Sequence, residues 1–202
     1  MPTIAIASSK GGSGKSTTAA LLAMTLAEHG ATVTVIDADP NRPIAKWAQH
    51  AGKPDSLTVL SEVTESTIID TIEESGRRAQ FVIIDLEGSA SLMVCLAISR
   101  ADLVIIPTQG SPLGATETAR TVRLVKIQEK SLRFKIPAAI LFTRTSAAMR
   151  PRKMGPRRRL VDVRRLNDFG QHCACGTLGR QAKARQAPRG SALTDHVKPC
   201  AP

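Results

Sequence analysis

Short apolar runs alternate with longer, mixed stretches along the first 145 residues of the chain. Most of these runs are apolar throughout, which is typical of parallel strands that helices cover on both faces. They predict strands at Thr3–Ala7, Thr32–Asp37, Leu57–Leu60, Phe81–Asp85, Leu103–Pro107 and Pro137–Thr143. The stretches between them predict helices at Ser16–His29, Pro43–Ala51, Glu65–Arg77, Ser91–Ile98 and Gly114–Lys130. This order predicts an α/β fold with a doubly wound, mostly parallel sheet that binds ligands at the carboxyl ends of its strands.

The alternation ends near Met149, and the rest of the chain has a different composition. Residues 1–149 carry 15 Lys and Arg against 14 Asp and Glu, whereas residues 150–202 carry 13 against 3, so the net charge of +11 lies almost entirely in the tail. Pro and Gly interrupt the tail repeatedly, and it has no helical or strand period. We therefore expect one domain over residues 1–149 and a basic, largely disordered tail over residues 150–202.

Length and composition restrict the class of protein further. A chain of 202 residues suits one domain with a sizeable core. The sequence has no apolar stretch long enough to cross a bilayer, no signal segment and no disulfide framework. We therefore expect a cytoplasmic protein. Cys173 and Cys175 lack the second pair that a zinc site needs. Scarce aromatic side chains argue against stacking on single-stranded nucleic acid.

A glycine-rich segment joins the first predicted strand to the first predicted helix. It reads Ser-Ser-Lys-Gly-Gly-Ser-Gly-Lys-Ser-Thr-Thr from Ser8 to Thr18. Such a turn directs several backbone N–H groups and a helix N-terminus at one point, which favours bound phosphate. Lys15 would meet the terminal phosphates of a nucleotide, and the Ser16 hydroxyl would coordinate Mg²⁺. The predicted nucleotide-binding residues of the segment are Lys10, Gly11, Gly12, Ser13, Gly14, Lys15, Ser16 and Thr17.

The segment departs from the usual phosphate-loop pattern in two places. Ser9 stands where the first glycine belongs, and Lys10 adds a second lysine. Lys-Gly-Gly-Ser-Gly-Lys-Ser resembles the deviant motif of the ParA/MinD family of ATPases. The resemblance covers about Pro2 to Arg152 and is nearest to short plasmid-partition ParA proteins, while Ile140–Arg152 also resembles the ParA-like ATPase that assists T-DNA transfer. It implies ATP as the nucleotide, and it implies that Lys10 reaches the partner's ATP across a dimer.

Two predicted strands end in carboxylates that would face the phosphate site. Asp37 and Asp39 close the second strand, and Asp85 closes the fourth. Carboxylates there could hold the Mg²⁺ shell or position an attacking water, and we assign Ser16, Asp37 and Asp85 to the metal. Asp39 is either catalytic or only part of an Asp-Pro-Asn turn. The resemblance implies the first, with Lys10, Lys15 and Asp39 as the catalytic residues.

Two further strand ends are interpreted by resemblance alone. Ile105 to Leu113 resembles the loop before a long, dimer-facing helix, and Leu141 to Arg144, including Thr143, resembles the strand end that borders adenine. A plain turn and a plain strand terminus stay open as alternatives. Leu86-Glu87-Gly88 follows Asp85 where family members commonly have Thr-Pro or Gly, which leaves the γ-phosphate contacts undefined.

The family resemblance stops where the tail begins. Family members continue with a helix, a strand and a C-terminal helix, and none of these is recognisable in the sequence after Arg152. Either the reading frame changes near Lys153, which the mixture of Arg, Pro, Gly and Cys favours, or the tail is a basic arm that contacts DNA phosphates. Translation of the coding DNA in the other two frames distinguishes these hypotheses. A frame change would produce a truncated, inactive and aggregation-prone relative.

The leading functional prediction is an ATPase that segregates or positions DNA. It would form an ATP-dependent homodimer, bind non-specific DNA through surface Lys and Arg, and hydrolyse ATP slowly until a small centromere-binding or activator protein stimulates it. No membrane partner is expected. The alternative is a small-molecule ATP-dependent synthetase on the same scaffold, for which the sequence offers no second set of polar residues that would form a substrate pocket.

Overall fold

The computed structural model describes residues 1–50 and 52–144. The strands are β1 (Thr3–Ile6), β2 (Val33–Ala38), β3 (Leu57–Leu60), β4 (Phe81–Leu86), β5 (Leu103–Gln109) and β6 (Ala138–Thr143). The helices are α1 (Lys15–Glu28), α2 (Pro43–Ala48), α3 (Ile68–Arg78), α4 (Leu92–Ser99) and α5 (Pro112–Leu132). The predicted tail, with Cys173 and Cys175, lies outside the described residues.

All six of these strands are parallel and form one sheet in the order β3-β2-β4-β1-β5-β6. Helices cover both faces. One face carries α1, which packs on β2 and β4, and the other carries α3, α4 and α5, which pack in succession against one another. The predicted α/β, doubly wound sheet is therefore confirmed.

The two helical layers bury different kinds of side chain. On the α3–α5 face, Ile72 and Val125 of the helices join Ile84 and Ile106 of the strands in one apolar cluster. On the other face, α1 buries Lys15, Ala19, Ala23 and Ala27, which recur every four residues and so lie on one side of the helix. Alanine is small enough to let a helix approach a sheet closely, and Lys15 lies on this same buried side of α1.

The helix boundaries differ from the predicted ones by a few residues, for local reasons. Helix α3 begins at Ile68 instead of Glu65, because the Thr67 hydroxyl accepts a hydrogen bond from the Thr64 N–H at 3.0 Å and closes a turn first. Helix α5 begins two residues earlier than predicted, because the Ser111 hydroxyl caps it by accepting from the Gly114 N–H at 3.0 Å.

The strand order determines what surrounds the glycine-rich segment. Strand β1 lies between β4 and β5, so the segment that follows β1 emerges between the carboxyl ends of those two strands. Asp85 lies on β4 and Gln109 ends β5, while β2 brings Asp37 next to Asp85. Parallel pairing thus gathers residues from four strands at one edge. Within the described segments, no helix combines the length and apolar character that crossing a membrane requires.

Candidate functional site

Two glycines give the segment between β1 and α1 its shape. Gly12 and Gly14 have φ angles of 72° and 98°, in the left-handed region that side chains rarely adopt. A β-carbon on Gly14 would also lie 3.2 Å from Cγ2 of Thr143. Gly14 precedes α1 without a side-chain cap, and no acidic residue occupies the first turn. The positive end of α1 therefore stays available to an anion.

Side chains from the β5–β6 side of the sheet hold the carbonyl groups of this loop. The Gln109 amide donates to the Gly12 carbonyl at 2.9 Å, and the Thr143 hydroxyl lies 2.7 Å from the Ser13 carbonyl. The Gly12 and Ser13 carbonyls are thus bonded to protein. Such a loop can direct its N–H groups toward a phosphate without the carbonyl oxygens repelling it.

Lys15 is the buried cation of the site. Its side chain is almost fully enclosed, and its ammonium makes a long hydrogen bond of 3.5 Å to the Lys10 carbonyl. This contact is weak by distance, so the ammonium can exchange it for a phosphate oxygen. A β-carbon on Gly88 would lie 3.6 Å from the Lys15 ammonium and 3.3 Å from the Gly11 nitrogen. The Leu86-Glu87-Gly88 segment therefore approaches the loop closely at its glycine.

The two carboxylates Asp37 and Asp85 are neighbours at the same register position of β2 and β4. Both side chains are buried, with relative exposures of 1% and 0%. Asp37 Oδ2 accepts hydrogen bonds from the Ile44 and Ala45 N–H groups at 2.8 and 2.9 Å, which fixes the carboxylate against α2. Asp37 Oδ1 and both oxygens of Asp85 have no hydrogen-bond partner among the described residues.

Burial dominates the protonation of this pair. Loss of solvent raises the pKa of Asp85 to about 7 from its ordinary value of 3.8, and the negative charges of Asp37 and Asp39 add to the rise. Ser16 and the Lys15 ammonium act in the opposite direction on the pKa of Asp85. The pKa of Asp37 is also raised by burial, while hydrogen bonds from the α2 backbone counter the rise.

This arrangement fits a magnesium ion that is bound mainly through phosphate and water. Besides the three carboxylate oxygens, the buried Ser13 hydroxyl also lacks a partner among residues 1–50 and 52–144. Buried oxygens without donors are costly unless a cation or a ligand reaches them. The same residues contain no cluster of three or more His, Cys, Asp or Glu that could hold a metal ion.

The other predicted site residues differ in how far they are exposed to solvent. Asp39 is partly exposed, and its Oδ1 accepts from the Asn41 N–H at 2.8 Å, so the turn that was the alternative interpretation does form. Ser16 follows Lys15 in the first turn of α1, near Asp85. Thr17 is exposed on α1, and Lys10 is half-buried. The roles given to these residues stay predictions.

Comparison with known proteins identifies the family. The model of the VirC1 protein family matches residues 1–163. The chain belongs to the VirC1 family. Protein ParA of Rhizobium radiobacter is 47% identical over 150 residues, which are 74% of this chain and 68% of that protein. The predicted membership of the ParA/MinD-type P-loop ATPases is therefore confirmed.

Solved structures add a fold likeness to this VirC1-family chain. McdA of Cyanothece without nucleotide superposes with a TM-score of 0.60 and 21% identity, over 70% of this chain and 71% of that one. Cobyrinic acid a,c-diamide synthase of Mycobacterium smegmatis superposes with a TM-score of 0.63 and 18% identity, over 73% and 75%. The TM-scores of the two superpositions are about equal, so the fold alone does not show which of these two proteins this chain resembles in function.

The structure also reveals contacts of the VirC1-family loop that the sequence did not predict. The Ser9 N–H donates to Thr121 Oγ1 of α5 at 3.1 Å, and the two hydroxyls lie 2.9 Å apart. The approach of Gly88 and the bond from Gln109 were missed as well. Thr143 was assigned to the nucleotide site because its strand end resembles one that borders adenine, and it lies against Gly14 and Ser13 of the loop.

Proposed function

We propose that this VirC1-family protein is a ParA-type ATPase that forms a dimer around ATP and Mg²⁺ and positions DNA. The observation that carries the proposal is the buried Asp37–Asp85 pair beside a glycine-rich loop with two lysines. The high identity to a ParA protein supports the partition or positioning role.

The residues of the site have distinct tasks in this proposal. The loop N–H groups, the α1 N-terminus and Lys15 bind the phosphates. Ser16, Asp37 and Asp85 would hold Mg²⁺, which would neutralise phosphate charge. Asp39 orients the attacking water through Oδ2, because the Asn41 N–H and side-chain amide both bond Oδ1.

Lys10 has a separate role, at the partner's nucleotide. Its carbonyl contacts Lys15, whereas its own ammonium makes no salt bridge with another described residue. We expect Lys15→Ala to abolish ATP binding, measured with a fluorescent ATP analogue. We expect Lys10→Ala to keep ATP binding within a few-fold while losing ATP-dependent dimerisation, measured by analytical ultracentrifugation. Equal loss of ATP affinity in both variants would contradict the cross-dimer role.

The exposed side of α5 and the turn after it supply a surface for DNA. Arg123, Lys126, Lys130 and Arg133 are exposed there and have no salt-bridge partner among the described residues, unlike Arg120, which pairs with Glu117. Lys and Arg on one exposed surface attract phosphates of any sequence. Retention of random-sequence DNA should therefore require ATP and weaken with salt, and a small activator protein would release it by stimulating hydrolysis.

A synthetase is the second candidate, because the fold is as close to cobyrinic acid a,c-diamide synthase as to McdA. A cavity of about 400 Å³ exists, but α3 and the early parts of β2 and β3 line much of it, including Thr32, Val33 and Ser56. These positions lie toward the other end of the strands from the phosphate loop, which does not favour this candidate. ATP-dependent retention on DNA supports the partition role. ATP consumption that depends on an added small acid or amide acceptor, without DNA retention, would support a synthetase.

A further inference from the structure

The start of the phosphate loop is tied to α5 by one threonine. Thr121 is almost fully buried and lies 112 residues from Ser9 in the sequence. Its Oγ1 accepts from the Ser9 N–H at 3.1 Å, lies 2.9 Å from the Ser9 hydroxyl and 3.1 Å from the Glu117 carbonyl. Ser9 is the position where the usual loop has glycine.

These three contacts use the whole hydrogen-bonding capacity of the Thr121 hydroxyl. A hydroxyl donates once and accepts twice. The Glu117 carbonyl only accepts and the Ser9 N–H only donates, so the Thr121 hydrogen points to Glu117 and the Ser9 hydroxyl donates to Thr121. A glycine at position 9 could make one of the two bonds to Thr121. The serine therefore fixes the loop to α5 through its backbone and its side chain together.

This attachment adjoins Lys10, the residue after Ser9. The Lys10 carbonyl is held by the Lys15 ammonium, but only at 3.5 Å. If the Lys15 ammonium leaves this carbonyl to bind a phosphate, the contacts of Thr121 with Ser9 still hold the backbone at this end of the loop. We propose that Thr121 is a positioning residue that sets the direction in which Lys10 leaves the loop. This inference rests on the proposed function, in which Lys10 acts on the partner's ATP.

Helix α5 provides a matched control at Thr118. This threonine is also buried, and its hydroxyl donates to the Gly114 carbonyl at 2.8 Å within the helix. It makes no hydrogen bond to the phosphate loop. Replacement of either threonine by valine removes a hydroxyl at nearly constant volume, so the two variants share the packing change and differ in the contact to Ser9.

The experiment compares Thr121→Val, Thr121→Ser, Thr118→Val and Lys10→Ala in the full chain. ATP affinity is measured at a protein concentration that keeps the chain monomeric, and dimerisation with ATPγS and Mg²⁺ is measured by analytical ultracentrifugation. We expect Thr121→Val to keep ATP affinity within about threefold, because Ser9 lies outside the residues assigned to the nucleotide. It should weaken dimerisation by about tenfold, a factor that corresponds to about one of the two buried hydrogen bonds to Ser9. Thr121→Ser should restore it, and Thr118→Val should dimerise like the unmodified protein.

The outcomes separate this inference from the proposed function. Suppose that the unmodified protein and Thr121→Val both dimerise with ATPγS, and that Lys10→Ala does not dimerise. The role of Thr121 is then wrong, and the proposed function stands. If the unmodified protein does not dimerise, the proposed function fails and the inference fails with it. Equal weakening in Thr121→Val and Thr118→Val, or a loss of monomer ATP affinity in Thr121→Val, would also overturn it. Thermal melts identify a variant that does not fold. If Thr121→Val does not fold, Ser9→Ala replaces it, because this change keeps the Ser9 N–H bond to Thr121 and removes the side-chain bond. Full dimerisation of Ser9→Ala would then overturn the inference.

Discussion

Asp37 and Asp85 lie side by side at one register position of two adjacent parallel strands, and both are shielded from solvent. Two buried negative charges that lie close together and accept few hydrogen bonds lower the free energy of unfolding of the nucleotide-free protein. The cost is consistent with a site shaped for a cation. It also makes the protonation of Asp85 a measurable property of the folded state.

The first prediction concerns stability against pH. Burial raises the pKa of Asp85 to about 7, whereas its ordinary value is 3.8, so the folded state binds this proton more tightly than the unfolded state does. The stability that this proton contributes is fully present below the ordinary pKa and is lost as the pH rises through about 7. Asp85→Asn cannot ionise and should raise the stability of the nucleotide-free protein at pH 8 by up to about 4 kcal/mol. Thermal melts between pH 4.5 and 8 test this. Asp55→Asn, at an exposed carboxylate, is the control. If Asp85→Asn lost stability with rising pH as steeply as the unmodified protein, the raised pKa could not belong to Asp85.

The second prediction has the opposite sign and concerns the ligand. ATP with Mg²⁺ should raise the melting temperature of the unmodified protein, because the ligand binds only the folded state. Asp85→Asn should lose most of the part of this rise that depends on Mg²⁺, since a neutral amide is a poorer ligand for a hard cation. The measurement compares melts with ATP in Mg²⁺ and in EDTA. An undiminished Mg²⁺ effect would remove Asp85 from the metal site.

The third prediction tests the close approach of Gly88. A β-carbon there would lie 3.3 Å from the Gly11 nitrogen, tighter than usual contacts, so the loop must move by a few tenths of an ångström. We expect Gly88→Ala to weaken ATP binding by about tenfold, since a displaced loop misaligns several N–H groups at once. Ser89→Ala, at the exposed next position, should bind ATP normally. Fluorescence titration measures both, and normal affinity in Gly88→Ala would show that the loop adapts freely.

Much of the fold follows from the sequence because its signals are local. Continuous apolar runs such as Phe81–Asp85 identify buried parallel strands, and the order of strand, glycine-rich turn and helix identifies the phosphate loop. Asp37 and Asp85 were assigned together because parallel strands end at one edge. These inferences need only the neighbouring residues and the rules of sheet connection.

The contacts that hold the loop depend on residues far apart in the chain. Gln109 reaches Gly12 across 97 residues, and Thr121 reaches Ser9 across 112. A glutamine at a strand end and a threonine within a helix are unremarkable in sequence, since both residue types are common there for other reasons. Only the pairing of β5 beside β1 and the packing of α5 on β5 show their partners. The departure of Ser9 from the usual motif was the one visible sign, and it lacked a partner until the fold was known.

The fourth prediction separates two roles for Thr143. Its hydroxyl lies 2.7 Å from the Ser13 carbonyl and 3.1 Å from the Thr108 carbonyl, and the shorter distance favours donation to Ser13. The family resemblance instead implies a place beside adenine. If its main task is to hold the loop, Thr143→Val should weaken ATP and GTP binding by a similar factor, about fivefold to tenfold for one lost hydrogen bond. Thr143→Ser should bind both like the unmodified protein. Competition titrations with the two nucleotides measure the ratio. A change in the preference for ATP over GTP would favour the adenine contact instead.

The last prediction concerns the DNA-binding surface on α5. Lys126 and Lys130 are exposed one helical turn apart on this helix and have no salt-bridge partner among the described residues. Each lysine that meets a phosphate contributes about 0.9 to the slope of log affinity against log salt. Replacing both with alanine should therefore weaken ATP-dependent binding to random-sequence DNA and lower that slope by up to about 2.

Lys46→Ala with Arg77→Ala is the charge-matched control, since both residues are exposed on other helices. Fluorescence anisotropy from 50 to 300 mM salt, with ATPγS and Mg²⁺, compares the two double variants on one DNA duplex. A local DNA surface on α5 requires that only the Lys126 and Lys130 variant lose slope. An equal loss in both would mean that net charge is responsible. An unchanged slope in both, with binding that also persists without ATP, would assign DNA binding to residues beyond the described part of the chain.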